Sequence, residues 1–271
     1  MKWENLTASE FKDFIKESKG VAIIPYGCLE KHGYHLPLGT DMFIAQDMAN
    51  KAADVEPALV VPMAPYGIIS EARHTYGCLS LTSKLQYEIL EELCDELARN
   101  GYHKIIIING HGGARNFLNY FAQSRLEKKH DYIVFIYQAH MRSDEQDQKF
   151  LDLNGPVDGC GHADVRESSE ICYLHPELAH MDRVDQSKEQ VYELGRLNHL
   201  AEVGLYSAIG WYADHPYHIA GNPIKANAQK GKVLNDIYVS NLVRAIKALK
   251  EDEVSLKLQE EFYSKTYNQE G

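Results

Sequence analysis

Three segments of this chain concentrate side chains able to hold a metal ion or carry a proton. The first, residues 27–41, contains Glu30, His32 and Asp41 and directly follows the apolar run Val21–Tyr26 (VAIIPY). Along extended backbone alternate side chains share a side, so Glu30 and His32 face the same way. A carboxylate beside an imidazole suits zinc or manganese. Gly33, Pro37 and Gly39 let the loop turn and bring Asp41 back towards Glu30. Taken alone, the same residues also describe a polar loop followed by an ordinary Asp helix cap.

The second segment is Asn109-Gly110-His111-Gly112-Gly113, straight after Lys104–Asn109 (KIIIIN). Its glycines let backbone approach a ligand closely, and the plainer alternative is a glycine-rich turn with an incidental histidine. It has neither glycine pattern of the common nucleotide-phosphate loops. The third, residues 161–170, holds His162 just before a helix-like stretch and Glu167 inside it. A histidine near a carboxylate suits proton transfer beside a metal, although acidic residues also favour a solvated first helical turn.

The elements that must position these residues alternate between apolar runs and amphipathic stretches. Strands are expected at residues 21–26, 58–63, 104–109 and 132–137. Helices are expected at residues 7–16, with a capping signal at Thr7, and at 42–53. Leu85, Ile89, Leu93 and Leu97 mark one helical face that ends at Asn100-Gly101. Residues 116–129 form another helix, and Leu234, Tyr238, Leu242, Ile246 and Leu249 mark a long one. This alternation predicts an α/β fold with a mostly parallel sheet covered by helices on both faces, in one domain spanning residues 1–271. Ligands of such sheets bind at the carboxyl ends of strands, where both the Glu30/His32 pair and His111 lie. The irregular stretches 138–161 and 204–227 are expected to wall the site.

Composition narrows the partners. The net charge of -11, from 28 basic and 39 acidic residues, disfavours nucleic acid and anionic membranes. No run of apolar residues reaches membrane-spanning length. The first residues lack the basic-then-apolar pattern of a secretory signal. Five scattered cysteines without a C-x-x-C pair fit a reducing cytoplasm.

Together the three segments resemble the creatininase family of amidohydrolases. The family's E-x-H signature, with Asp eleven residues after the Glu, is matched by Glu30, His32 and Asp41. Its N-G-H turn is matched at His111, and its H-x-x-x-x-E-[TS]-S segment from His162 through Glu167, Ser168 and Ser169. Weaker matches lie at residues 70–81 and 221–231. The resemblance implies a three-layer αβα fold and two divalent cations, zinc and/or manganese, with iron possible. It places Glu30, Asp41 and His111 on one cation and His32 and Asp41 on the other, with Asp41 bridging. One departure stands out: creatininase itself carries a metal-binding Glu where this chain has Gly113, and Glu167 is the natural replacement ligand. With Glu167, three carboxylates and a hydroxide balance two dications. The catalytic pair would be Glu167 and His162, the latter passing a proton to the leaving nitrogen.

The resemblance further implies a small-molecule substrate, such as a small cyclic amide, and a homo-oligomer, a hexamer by family. Other family members deformylate formamides or open oxidised sugar and cyclitol rings, and a non-catalytic metal-containing binding protein is a further alternative. Tyr66, Glu71, His74 and Asp158 are expected to line the pocket. Trp3 and Trp211 are the only tryptophans, so an aromatic clamp like that of true creatininases is not expected.

Overall fold

Residues 21–26 carry no charge and are rich in Val, Ile and Tyr, and they form strand β1 (Val21–Tyr26), buried along its whole length. The computed structural model describes residues 1–138, 161–184 and 194–268. Strand β3 (Lys104–Asn109) pairs parallel with β1 in the register Tyr26↔Asn109, so the two strands end side by side. Strand β4 (Ile133–Gln138) runs parallel to β3. Strand β2 is much shorter than expected: only Leu59–Val60 pairs with β1. Val61 N still donates to Ile23 O at 2.9 Å, and regular pairing stops there, just before Pro62. The sheet order is β2-β1-β3-β4.

The inter-strand connections are helical. Helix α1 (Ala8–Ser18) begins at a complete capping box, with Thr7 and Glu10 bonding each other's backbone N–H. Helix α2 (Thr40–Val55) joins β1 to β2. Helix α3 (Ser83–Arg99) joins β2 to β3 and stops at Asn100 and Gly101, the latter at φ +92°. Its buried face is Leu90, Cys94, Leu97 and Ala98, whereas Leu85 is exposed. The regular apolar spacing therefore misplaced the start of that face, because Gln86 turns inward to accept a bond from the Tyr26 hydroxyl.

Helix α4 (Arg115–Ser124) follows β3 and ends earlier than its pattern suggested. Ser124 is buried and returns its hydroxyl to the Phe121 carbonyl, and the chain turns there. Helix α5 (Val165–Leu174) starts on its cap Asp164, and a short helix α6 spans Ile209–Asp214. The long helix α7 (Ala228–Glu251) buries Leu234, Tyr238, Leu242 and Ile246, the residues its periodicity marked. Helix α8 (Ser255–Asn268) was not anticipated. Gln259 and Tyr263 anchor it on the backbone of Tyr132 and Arg125.

Side chains alternate between the two faces of the sheet, as strand geometry requires. Val21, Ile23, Ile106 and Ile108 join α2, α5 and α7 in one apolar core. Ala22, Ile24, Ile105 and Ile107 join α1, α3 and α4 in the other. The result is the three-layer αβα arrangement. From β1 the chain moves to one side of the sheet and then returns to the other, so the crevice between the ends of β1 and β3 is the topological switch point where such folds bind ligands.

Candidate metal centre

Beyond β1 the loop folds back on itself, with Glu30 N donating to Leu38 O at 2.9 Å. Helix α2 then begins hard against the end of the strand. Gly27 permits this, since a Cβ there would lie 2.7 Å from Met42 Cα. Asp41 consequently sits inside the first turn of α2, whose cap position is Gly39, and its carboxylate turns towards the loop rather than capping the helix. Helix α5 enters from the far side of the crevice. Its start is tied to the segment before α7 by paired backbone bonds between His162 and Ala220, at 2.7 and 2.9 Å.

Glu30, His32, Asp41, His111 and Glu167 all converge here, and the first four are buried. The two oxygens of Asp41 serve different histidines. Oδ1 lies 3.1 Å from His32 Nε2, and Oδ2 lies 3.1 Å from His111 Nδ1. Glu30 Oε2 joins the His111 side at 3.0 Å, and Glu167 Oε2 joins the His32 side at 3.5 Å. Two donor sets thus share one carboxylate.

The hydrogen positions sharpen the picture. His32 Nδ1 lies 3.2 Å from the Glu30 carbonyl, which can only accept, so the ring proton belongs there and the Nε2 lone pair faces two carboxylate oxygens. Such an arrangement requires a cation between the groups, either a proton or a metal ion. Without a metal the proton takes that place: burial alone would lower the His32 pKa, but Asp41 and then Glu167 outweigh it and raise it to about 10. Burial likewise opposes the charged form of His111, yet Glu30 and Cys28 hold it well above the imidazole range. Glu30 is held well below the carboxylate range by His111 and His162 despite its burial. Glu167 is pushed up, first by burial and then by the charges of Asp41 and Asp164, against the pull of His32. The donor set, three carboxylates and two imidazoles in a buried crevice, fits divalent ions.

His162 is placed differently from these five. Its Nε2 donates to the Lys31 carbonyl at 2.7 Å, which leaves Nδ1 as the basic nitrogen of the neutral ring. Burial, helped by His32 and His218 and opposed by Glu30, lowers its pKa to about 3. It lines a pocket of about 270 Å³ with Glu30, Glu71, His111, Glu167 and Trp211. A larger, more open chamber of about 970 Å³ shares Glu71, Gly112, Gly113 and Trp211 with it.

The chain matches the family model described as creatinine amidohydrolase over residues 4–246. It belongs to the creatininase family. Members of this family are metal-dependent amidohydrolases that act on C–N bonds. A creatinine amidohydrolase of Pseudomonas putida is 25% identical over 191 residues, covering 66% of this chain and 74% of that protein. A mycofactocin precursor peptide peptidase of Mycobacterium ulcerans is 26% identical over 222 residues, 78% of each chain. Solved creatininase structures, one in a manganese form and one of zinc–zinc type, share this fold with a TM-score of 0.72 at 21% identity. They cover 93% of this chain, which spans 99% and 98% of theirs.

For a creatininase-family site, several expectations about the pocket need correction. Tyr66 lines neither cavity; it is exposed, and its backbone bridges to Cys28. His74 lines only the outer chamber, whereas Glu71 lines both. Asp158 lies outside the described residues. Of the two segments expected as walls, 204–227 contributes residues 206–212, 214 and 215 to the outer chamber, and most of 138–161 lies outside the described residues. An aromatic surface is present after all, because α6 carries Trp211 to the pocket wall at 6.0 Å from the His162 ring. Tryptophan count alone could not place it.

Three further residues escaped the sequence reading, and Glu71, expected only as pocket lining, makes a contact with His111 that was not foreseen. His218 is fully buried; Trp211 Nε1 donates to its Nδ1 at 2.9 Å, so its Nε2 donates to Glu30 Oε1 at 2.5 Å. The Cys28 thiol lies 3.1 Å from Asp41 Oδ2. Glu170, one turn beyond Glu167, is buried on the pocket wall with Oε1 unbonded. Glu71 stands against the imidazole of His111, at 3.2 Å. The visible signal for His218 was its place in a His- and aromatic-rich segment just before the match at residues 221–231.

Proposed function

We propose that this chain is a two-metal hydrolase of C–N bonds in a small, polar amide. The observation that carries the reading is Asp41, whose two oxygens each face a different imidazole backed by a further carboxylate. Glu30, Asp41 and His111 would hold one divalent ion, and His32, Asp41 and Glu167 the other, zinc or manganese by donor type and iron as a third option. Ions held there would supply Lewis acidity, polarising an amide carbonyl and acidifying water near neutral pH.

The chain's own residues supply the rest. His218 orients Glu30 through a proton donated from Nε2. The Lys31 carbonyl keeps the His162 proton on Nε2, so Nδ1 is the atom that takes a proton and delivers it to the departing nitrogen. Trp211 offers a flat apolar surface to the substrate. Among the described residues, Glu71, Asp164 and Glu170 line the pocket beside the ion-binding Glu30 and Glu167, against the one guanidinium of Arg166. Such walls favour a substrate rich in N–H and O–H donors over an anionic one.

A second reading is cleavage of a peptide bond. It is favoured by the outer chamber of about 970 Å³, which continues the pocket. Elemental analysis followed by a screen of cyclic amides, formamides, short peptides and keto-cyclitols separates the readings. The main reading expects about two ions per chain and amine or ammonia release from a small amide. Turnover confined to peptides supports the second. A new carboxylate without nitrogen release supports ring opening of a cyclitol instead, and bound metal without any turnover supports a binding protein.

A further inference from the structure

We propose that Glu71 is a positioning residue of the metal centre: it accepts the Nε2 proton of His111 and so aims the Nδ1 lone pair at the ion shared by Glu30 and Asp41. This rests on the two-metal reading above. His111 meets carboxylate oxygens on both sides, Glu30 Oε2 and Asp41 Oδ2 at 3.0 and 3.1 Å from Nδ1, and Glu71 Oε1 at 3.2 Å from Nε2. A neutral imidazole carries one proton and cannot satisfy both sides. A divalent ion on the Nδ1 side leaves that proton on Nε2, where Glu71 receives it. Metal-bound histidines ordinarily make this bond, and it fixes tautomer, ring orientation and basicity.

Gly113 points to the same assignment. A Cβ at this position would lie 1.9 Å from Glu71 Oε1 and 2.5 Å from His111 Nε2. The missing side chain at residue 113 is therefore the space that the Glu71 carboxylate occupies. Glu71 is held there by a rigid mount. It belongs to the 3-10 turn Ser70–Ala72, and Ile69 and Ala72 on either side of it are buried against Cys28. His74 Nδ1 closes the turn on the Glu71 carbonyl at 3.1 Å. The carboxylate that the sequence lacks beside His111 thus arrives from another loop, and it meets the outer nitrogen of the ring instead of the ions.

Zinc titration of the full chain by chelator competition tests this, with 15N-histidine NMR of the zinc-loaded protein. Glu71→Ala should weaken one of two zinc ions by about 10- to 100-fold, the usual effect of losing such a partner, with Glu71→Gln in between. Gly113→Ala, which keeps the carboxylate but displaces it, should weaken the same ion. The double variant Glu71→Ala/Gly113→Ala should lose less than the two effects multiplied. In the wild type the His111 proton should reside on Nε2, and in Glu71→Ala it should exchange faster with water. Unchanged zinc affinity in both single variants overturns the assignment. So does complete loss of one ion from Glu71→Gln at any zinc concentration, which would make Glu71 a direct ligand. Fewer than two zinc ions in the wild type would instead sink the two-metal reading itself.

Discussion

At the scale of single residues, Glu167 and His162 sit five positions apart yet face opposite requirements. The Glu167 carboxylate stands among other carboxylates, relieved by His32 and by the N–H that Ala163 donates to Oε2, so a cation beside it stabilises its charged form. His162 is kept neutral by burial with its Nε2 proton donated to the Lys31 carbonyl, so it is free to take up a proton on Nδ1 and poorly suited to remain charged. Their variants should therefore fail differently. Glu167→Gln should drop metal occupancy below two per chain at limiting metal, with activity partly recovered in excess metal. His162→Asn should keep both ions and lose about 100- to 10,000-fold in rate, the range for general acid–base groups, with no rescue by metal. Metal analysis beside steady-state rates reads both. Full occupancy in Glu167→Gln, or little effect of His162→Asn, would remove the respective role.

At the scale of elements, the centre depends on how closely α2 meets the end of β1. The contact brings Asp41 within reach of both imidazoles, and it exists because residue 27 has no side chain. A Cβ at Gly27 would also press on Met42 N at 2.7 Å, and backbone cannot step aside as a flexible side chain can. Gly27→Ala is expected to destabilise the protein by about 1–3 kcal/mol, as overpacking does, and to lower its metal content because Asp41 moves with the helix. Gly112→Ala provides the control. A Cβ there meets nothing within 4 Å, so melting temperature and metal content should both hold. Equal behaviour of the two variants in denaturant titration and metal analysis would show that the α2 contact does not position the site.

For the molecule as a whole, both apolar cores share one sheet, and we expect residues 1–271 to unfold as one cooperative unit. Its stability should depend on pH in opposite ways with and without metal. In the metal-free protein His32 titrates at about 10, above its ordinary 6.5, so the stabilisation it contributes is complete below about pH 6.5 and lost as pH rises towards 10. Glu167, also raised, loses its contribution in the same direction, from its ordinary range upward. Glu30 and Asp41 are lowered and lose theirs on acidification. Metal ions require deprotonated ligands and bind better as pH rises. The gap in melting temperature between loaded and stripped protein should therefore widen from pH 6 to pH 9. A constant gap, after confirmed metal removal, would count against a clustered site. Light scattering would test the homo-oligomer, a hexamer by family, that we also expect.

The strands β1 and β3, the capping box at Thr7 and the buried stripe of α7 were legible in the chain because each follows from local alternation, periodicity or capping. The five clustered side chains were legible for a related reason: they follow strands directly or begin helices, and an α/β sheet gathers those ends on one edge. What local pattern cannot encode is which distant segment arrives beside them. The arrival of His218, of Trp211 on α6 and of the Glu71 carboxylate against His111 depends on contacts made only after the layers assemble, such as the His162–Ala220 bridge and the turn buried on Cys28. Gly113 makes the same point. In the sequence it is a missing ligand, and in the fold it is the room that another loop's carboxylate fills.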